Sequence, residues 1–181
     1  MGMTVLCVCS YNRTRSVMMA ALLQHHLAPF GVDVLVHSAG TRADGGPPTR
    51  ETVKLLRNLG IDVGDRVGRP IDQALVAGAD LIVTAEQEHV INIAGRWPAA
   101  FSSTFTLPEL VERTRVTGAR SGAPIDDWKT ALNDGRPAGF AYLDDRSFGE
   151  IDDPTGRDRR TWAASFDQIN DLTKRLAKAI V

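Results

Sequence analysis

Thr4-Val5-Leu6-Cys7-Val8-Cys9 is followed by Ser10-Tyr11-Asn12-Arg13-Thr14 and then by Arg15-Ser16-Val17-Met18-Met19-Ala20-Ala21-Leu22-Leu23. The first segment is a short, β-branched apolar run with no polar alternation, which suits a strand buried on both faces. The second is polar and reads as a loop. The third belongs to a helix over Ser16–Leu27 with a wide apolar face. A buried strand that runs through a short polar loop into a helix is the opening unit of a wound parallel sheet.

Reading outward, the same alternation recurs. Asp33–His37 reads as a second strand, closed by Ser38-Ala39-Gly40, and Thr41–Pro48 is a loop rich in Gly and Pro. Thr49–Leu59 carries Val53, Leu55, Leu56 and Leu59 at helical spacing, with Gly60 placed for a C-cap. Asp80–Thr84 is a third buried strand and Glu86–Gly95 a helix. Ser103–Thr106 is a weak fourth strand, and Leu107–Arg115 a short helix. Thr117–Ser147 reads as a long surface excursion with a short helix near Trp128. Asp158–Val181 is a terminal helix with Trp162, Phe166, Ile169, Leu172, Leu176 and Ile180 on one side. The fold class is therefore α/β, a doubly wound parallel sheet in a single domain spanning residues 1–181. In such sheets ligands sit at the carboxyl ends of the strands.

Composition narrows the function. The chain has 181 residues, with 21 Lys and Arg against 22 Asp and Glu, a net charge of -1 that disfavours a broad nucleic-acid surface. The only cysteines are Cys7 and Cys9, too close in one strand to bridge, so a secreted disulfide framework is excluded and a reduced, cytoplasmic setting fits. No signal peptide or membrane span is expected. His25, His26, His37 and His89 have no ligand spacing with each other or with cysteine; they are expected at or near the surface, and no metal or other cofactor is expected.

Chemistry concentrates in Cys9-x5-Arg15-Ser16, between the first strand and the first helix. Successive N–H groups of such a loop can form an anion nest, and the helix N-terminus adds donors and partial positive charge. Ser10, Tyr11, Asn12, Arg13, Thr14, Arg15 and Ser16 are the expected phosphate-binding residues. Arg15 can hold two phosphate oxygens with its planar fork. The same field favours thiolate over thiol at Cys9, which makes Cys9 a nucleophile aimed at phosphorus. The alternative reading makes Cys9 a buried core cysteine and Arg15 a solvated helix residue. Cys7 reads as core. The leaving oxygen needs a proton, and Asp153, held extended by Pro154, is the candidate acid; acidic residues before proline are also common turn formers.

With these residues in place the chain resembles the low-molecular-weight protein tyrosine phosphatase superfamily, which also contains arsenate reductases. Cys9, Asn12, Arg15 and Ser16 match Cys-x-x-Asn-x-x-Arg-Ser; Ser38–Thr41 matches Ser-Ala-Gly-Thr, and Asp153-Pro154 the late Asp-Pro. Phe105-Thr106-Leu107 with Glu109-Leu110 resembles a bacterial segment of the group. The resemblance implies a flavodoxin-like four-stranded sheet of order 2-1-3-4. It implies that Ser16 donates to the thiolate, that Asn12 holds a left-handed loop and bonds Ser38, and that Asp153 gives a proton and later takes one from water.

The sequence also departs from the pattern. Tyr11 stands where glycine is usual, Thr14 where a second cysteine is frequent, and Thr155-Gly156 where an aromatic follows Asp-Pro. Arg42–Gly46 lacks the usual loop aromatic. The missing rings would wall a phosphotyrosine, so the departures bear on substrate and leave the phosphate chemistry intact. Trp97, Trp128 and Trp162 read as packing residues, with Trp128 the one exception to consider because it lies in the excursion that could fold over the cleft, and Arg157, Arg159 and Arg160 are expected to be solvated. The expected activity is a phosphomonoester hydrolase, a protein tyrosine phosphatase working through phosphocysteine on a phosphoprotein or a small phosphate or oxyanion substrate. The alternatives are an arsenate reductase using an external thiol, and a non-catalytic oxyanion- or phosphopeptide-binding module. The oligomeric state is not legible.

Overall fold

The computed structural model describes residues 2–145, 147 and 149–181. Four strands form one parallel sheet in the order β2-β1-β3-β4: β1 Met3–Cys9, β2 Val34–Gly40, β3 Leu81–Thr84 and β4 Thr104–Thr106. The expected 2-1-3-4 order and doubly wound architecture are those of the structure. Cys9 pairs with Gly40, and Val8 with Thr84, so the carboxyl ends of the three longer strands meet at one edge.

The period of two along β1 divides its side chains between two cores. Met3, Val5, Cys7 and Cys9 enter the larger core, and Leu6 and Val8 the smaller. The larger core is closed by α1 (Arg15–Leu27), α5 (Leu107–Thr117) and α8 (Arg159–Ile180). On the other face α3 (Gln73–Ala77) and α4 (Gln87–Arg96) bring Val76 and Ile93 against Leu6, Val8 and Ile82. Met18, Met19, Leu22 and Leu23 of α1 are wholly buried, each contributing about 1.5–3 kcal/mol. Cys7 is 1% exposed, and burial, with Cys9 beside it, raises its thiol ionisation far above the ordinary value.

The helix starts are explained by their caps. The Thr49 hydroxyl accepts from Thr52 N–H at the start of α2 (Arg50–Arg57), and Asp158 accepts from Thr161 N–H at the start of α8. Thr106 and Glu109 exchange bonds as a capping box that turns β4 directly into α5.

The stretch after α5 is less superficial than expected. It forms α6 (Ile125–Asn133) and α7 (Phe140–Asp144), and Trp128, Leu132, Arg136 and Tyr142 are buried; Arg146 lies outside the described residues. Trp128 does not reach the cleft. Its ring is 4% exposed in the core, and its indole N–H donates to Gly118 O at 3.2 Å. Arg136 fastens the stretch. Its Nε donates to Glu109 Oε1 at 2.6 Å, its Nη2 to Thr104 O at 2.6 Å, and its guanidinium lies on the rings of Phe101 and Phe105. No helix among the described residues is long and apolar enough to cross a membrane.

Candidate active site

The loop from Cys9 to Arg15 rises at the carboxyl edge of the sheet. Asn12 adopts φ 55°, a left-handed backbone that Asn tolerates better than most residues. Its Oδ1 accepts Arg69 N–H at 2.9 Å and its Nδ2 donates to Ser16 Oγ at 2.9 Å. Ser16 Oγ in turn lies 3.0 Å from Cys9 Sγ. An amide Nδ2 can only donate, so Ser16 accepts from Asn12 and is left to donate to the sulfur. The expected Asn12–Ser38 bond is replaced. Gly40 and Pro70 form a bridge that carries Arg69 beside the loop, and Arg69 takes the Asn12 oxygen. Ser38 is half-buried on β2, paired with Cys7.

Gly40 is required by close approach. A Cβ there would meet Ser10 O at 2.5 Å and Asn12 N at 2.8 Å. The backbone N–H groups of Tyr11, Asn12, Arg13 and Thr14 find no acceptor among the described residues, which leaves successive donors of the loop for an anion.

A cavity of about 270 Å³ opens over this loop, lined by Cys9, Ser10, Tyr11, Arg13, Thr14 and Arg15 and closed by Asp44, Thr49, Asp153 and Thr155. Asn12 and Ser16 are buried behind the loop and support it. Tyr11 is 49% exposed at the rim, with the Arg42 guanidinium 5.8 Å from its ring centroid. Arg13 lies along the wall, its Nε donating to Pro47 O at 2.8 Å.

Arg15 opens α1 and is almost fully buried. Its Nη1 donates to Ile151 O at 2.9 Å and pairs with Glu86 Oε2 at 2.9 Å; its Nη2 pairs with Asp153 Oδ2 at 3.0 Å. Asp153 Oδ1 accepts Thr155 N–H at 3.0 Å, which fixes the carboxylate over the cleft. Its neighbour Asp152 is exposed and does not line the cavity. The structure thus brings Cys9, Arg15 and Asp153 to one site.

Residues 4–117 match the low molecular weight phosphotyrosine protein phosphatase family. The chain belongs to that family. It is 26% identical to a protein-arginine-phosphatase of Bacillus subtilis over 98% of this chain and 97% of the relative. It is 31% identical to a protein-arginine-phosphatase of Geobacillus stearothermophilus, over 72% and 86%. The crystal structure of a YwlE mutant from Bacillus subtilis superposes with a TM-score of 0.73 at 26% identity, covering 98% and 97% of the two chains. Shorter stretches resemble a probable low molecular weight protein-tyrosine-phosphatase EpsP of Ralstonia solanacearum (35% over 59% of this chain and 72% of the relative) and an arsenate reductase of Bacillus licheniformis (35% over 45% and 55%).

Two residues of this phosphatase-family site are not apparent in the sequence. Glu86 caps α4 and holds Arg15. His89, expected near the surface, is 1% exposed beneath the loop, where its Nε2 lies 3.0 Å from Ser10 Oγ. Glu86 follows β3 at the carboxyl edge of the sheet, and His89 stands three residues on, in the first turn of the helix; that position was the available signal. Arg157, Arg159 and Arg160 are exposed, beside the site rather than in it.

Proposed function

We propose that the chain is a protein phosphatase that transfers the phosphoryl group of a phosphoprotein to Cys9 and then to water. The observation that carries this reading is the chain Asn12–Ser16–Cys9, which directs a hydroxyl proton at the sulfur and stabilises it as the anionic nucleophile and leaving group. A phosphate on the loop donors sits over Cys9, with Arg15 across two of its oxygens. The thiolate attacks phosphorus, the bond to the leaving oxygen breaks, and Asp153 gives that oxygen its proton. Water then attacks the phosphocysteine, Asp153 takes the water proton, and the thiolate leaves onto the Ser16 hydroxyl. The reading needs Cys9 reduced, as it is in a cytoplasm.

The side chain that carries the phosphate is tyrosine in this reading. Arg13 places a cation along the cavity wall, unfavourable to the guanidinium of phosphoarginine, and the exposed Tyr11 ring offers a face for a phenyl ring. Phosphoarginine is the second reading, favoured by the near full-length likeness to a protein-arginine-phosphatase and by the Asp44 carboxylate in the cavity lining. Arsenate reduction is the less favoured reading: with no cysteine after Cys9 the adduct would need an external thiol, and the arsenate reductase likeness covers only 45% of this chain. Parallel turnover of a phosphotyrosine peptide, a phosphoarginine peptide and arsenate with added thiol decides among them. The highest kcat/KM is expected for phosphotyrosine. A higher value for phosphoarginine moves the chain to the second reading, and activity on arsenate alone overturns both.

A further inference from the structure

Ser10 Oγ and His89 Nε2 lie 3.0 Å apart, beneath the lining of the cavity. Which of the two donates is decided on the far side of the imidazole ring. His89 Nδ1 lies 3.2 Å from the backbone N–H of Glu86, a group that can only donate. Nδ1 is therefore the unprotonated nitrogen, and the ring proton of the neutral histidine sits on Nε2. Nε2–H points at Ser10 Oγ; Glu86 Oε2, 3.6 Å away, is beyond hydrogen-bond length. Ser10 accepts, so its own proton must go elsewhere. Among the described residues Ser10 Oγ has no other partner, and the residue lines the cavity beside Cys9.

We infer that the Ser10 hydroxyl is a side-chain donor to the bound oxyanion and that His89 is the positioning residue that aims it. The inference rests on the phosphate-binding reading of the loop. It adds a directed O–H to the backbone donors. The pattern repeats that of Ser16: each hydroxyl accepts from a side chain buried behind the loop, Asn12 or His89, and is thereby turned toward the reacting centre. Burial first, then the positive charges of Arg15 and Arg42 with Asp153 opposing, lowers the ionisation of His89 to about 4, so the ring stays neutral at working pH. Glu86 is shared between the two devices. Its carboxylate holds Arg15 while its N–H fixes the His89 tautomer, so the first turn of α4 sets both the clamp and the hydroxyl.

The test is direct binding of orthovanadate and inorganic phosphate by calorimetry, on wild type, Ser10→Ala, His89→Leu, His89→Gln and the Ser10→Ala/His89→Leu double variant. A hydrogen bond to a charged group implies that Ser10→Ala weakens both anions by about tenfold or more. His89→Leu should weaken them similarly and add nothing in the Ser10→Ala background, because its effect runs through that hydroxyl. His89→Gln, which keeps an N–H donor, should restore most of the affinity. Affinity within twofold of wild type in Ser10→Ala overturns the inference, and that variant decides even where His89→Leu does not fold. Equal losses from His89→Leu with and without Ser10 overturn it too, and reduce His89 to packing. Failure of wild type to bind either anion would overturn the phosphate-binding reading itself, an outcome distinct from the others.

Discussion

Arg15 Nη2 lies 3.0 Å from Asp153 Oδ2, so the proposed anion clamp and the candidate acid hold each other across the cleft. The same carboxylate that must face the leaving group also competes with an incoming phosphate for the guanidinium. Asp153→Asn therefore has two opposite effects. Turnover of a phosphotyrosine-like ester should fall by about 10²–10⁴-fold, the usual contribution of a general acid, and an activated nitrophenyl ester should suffer less in the first step. Affinity for inorganic phosphate should hold or rise, since a negative charge leaves the site. Asp152→Asn, at an exposed position outside the cavity, is the control and should be mild. Equal losses at both positions in steady-state kinetics would assign the proton to the wrong carboxylate.

Arg15→Lys should not be conservative. The guanidinium reaches Ile151 O, Glu86 and Asp153 at once, and a single ammonium cannot reproduce that fork. A loss of about 2–4 kcal/mol in transition-state stabilisation, read from kcat/KM, is expected by analogy with removal of an oxyanion donor. Wild-type kinetics in this variant would exclude Arg15 from phosphate binding.

Cys9→Ser should lose turnover and keep phosphate binding, because the loop donors and Arg15 are untouched. The hydroxyl is a poor nucleophile with no adjacent base to activate it. Steady-state turnover of an aryl phosphate and calorimetric binding of inorganic phosphate by Cys9→Ser check the two halves of this prediction. Substantial steady-state activity in the variant would remove Cys9 from the mechanism.

Arg136→Ala should destabilise the fold by about 3–5 kcal/mol in denaturant titration, the usual effect of breaking a buried ion pair. Glu109 is fully buried; the Arg136 guanidinium holds it at 2.6 and 3.2 Å, beside the Tyr142 hydroxyl and Thr106 N–H at 3.2 Å and Arg113 Nε at 3.5 Å. The guanidinium also lies on Phe101, Phe105 and Tyr142, so packing is lost with the charge. A shift below about 1 kcal/mol would show that the segment after α5 is held by other contacts.

The parts of this fold legible in the sequence are those whose signal is local. β1 and β3 are unbroken apolar runs, α1 and α8 carry long helical stripes, and Cys9-x5-Arg15 and Asp153-Pro154 are spacings along the chain. α3 went unread because five residues behind the Asp72 cap are too few to show a helical period. α7 is hidden by Pro137 and Gly139, which read as loop. Trp128 reads as a packing residue, but what it packs against depends on α5 lying beside α6, which no window around it reveals. The partners of the nucleophile loop are harder still. His89 is 79 residues from Ser10 in sequence, and only the pairing of β1 with β3 brings α4 beneath the loop. A lone histidine on a helix carries no mark of that.

His89 also gives the fold a predictable pH dependence. Its ionisation lies near 4 in the folded chain, against an ordinary 6.5, because burial and the nearby arginines disfavour the charged ring. The unfolded chain therefore binds a proton between about pH 6.5 and 4 that the folded chain refuses. Stability must fall as pH drops through that window, by about 1.4 kcal/mol per unit and about 3 kcal/mol across it. Below about 4 both states are protonated and the loss from this group stops growing. Carboxylates add their own acid dependence, so the comparison is with His89→Gln, which cannot titrate. Urea unfolding at pH 7 and pH 4.5 should show wild type losing about 2–3 kcal/mol more than the variant. Equal losses in the two proteins would mean that the ring takes its proton without cost, and that the Nδ1 contact with Glu86 N–H does not persist in solution.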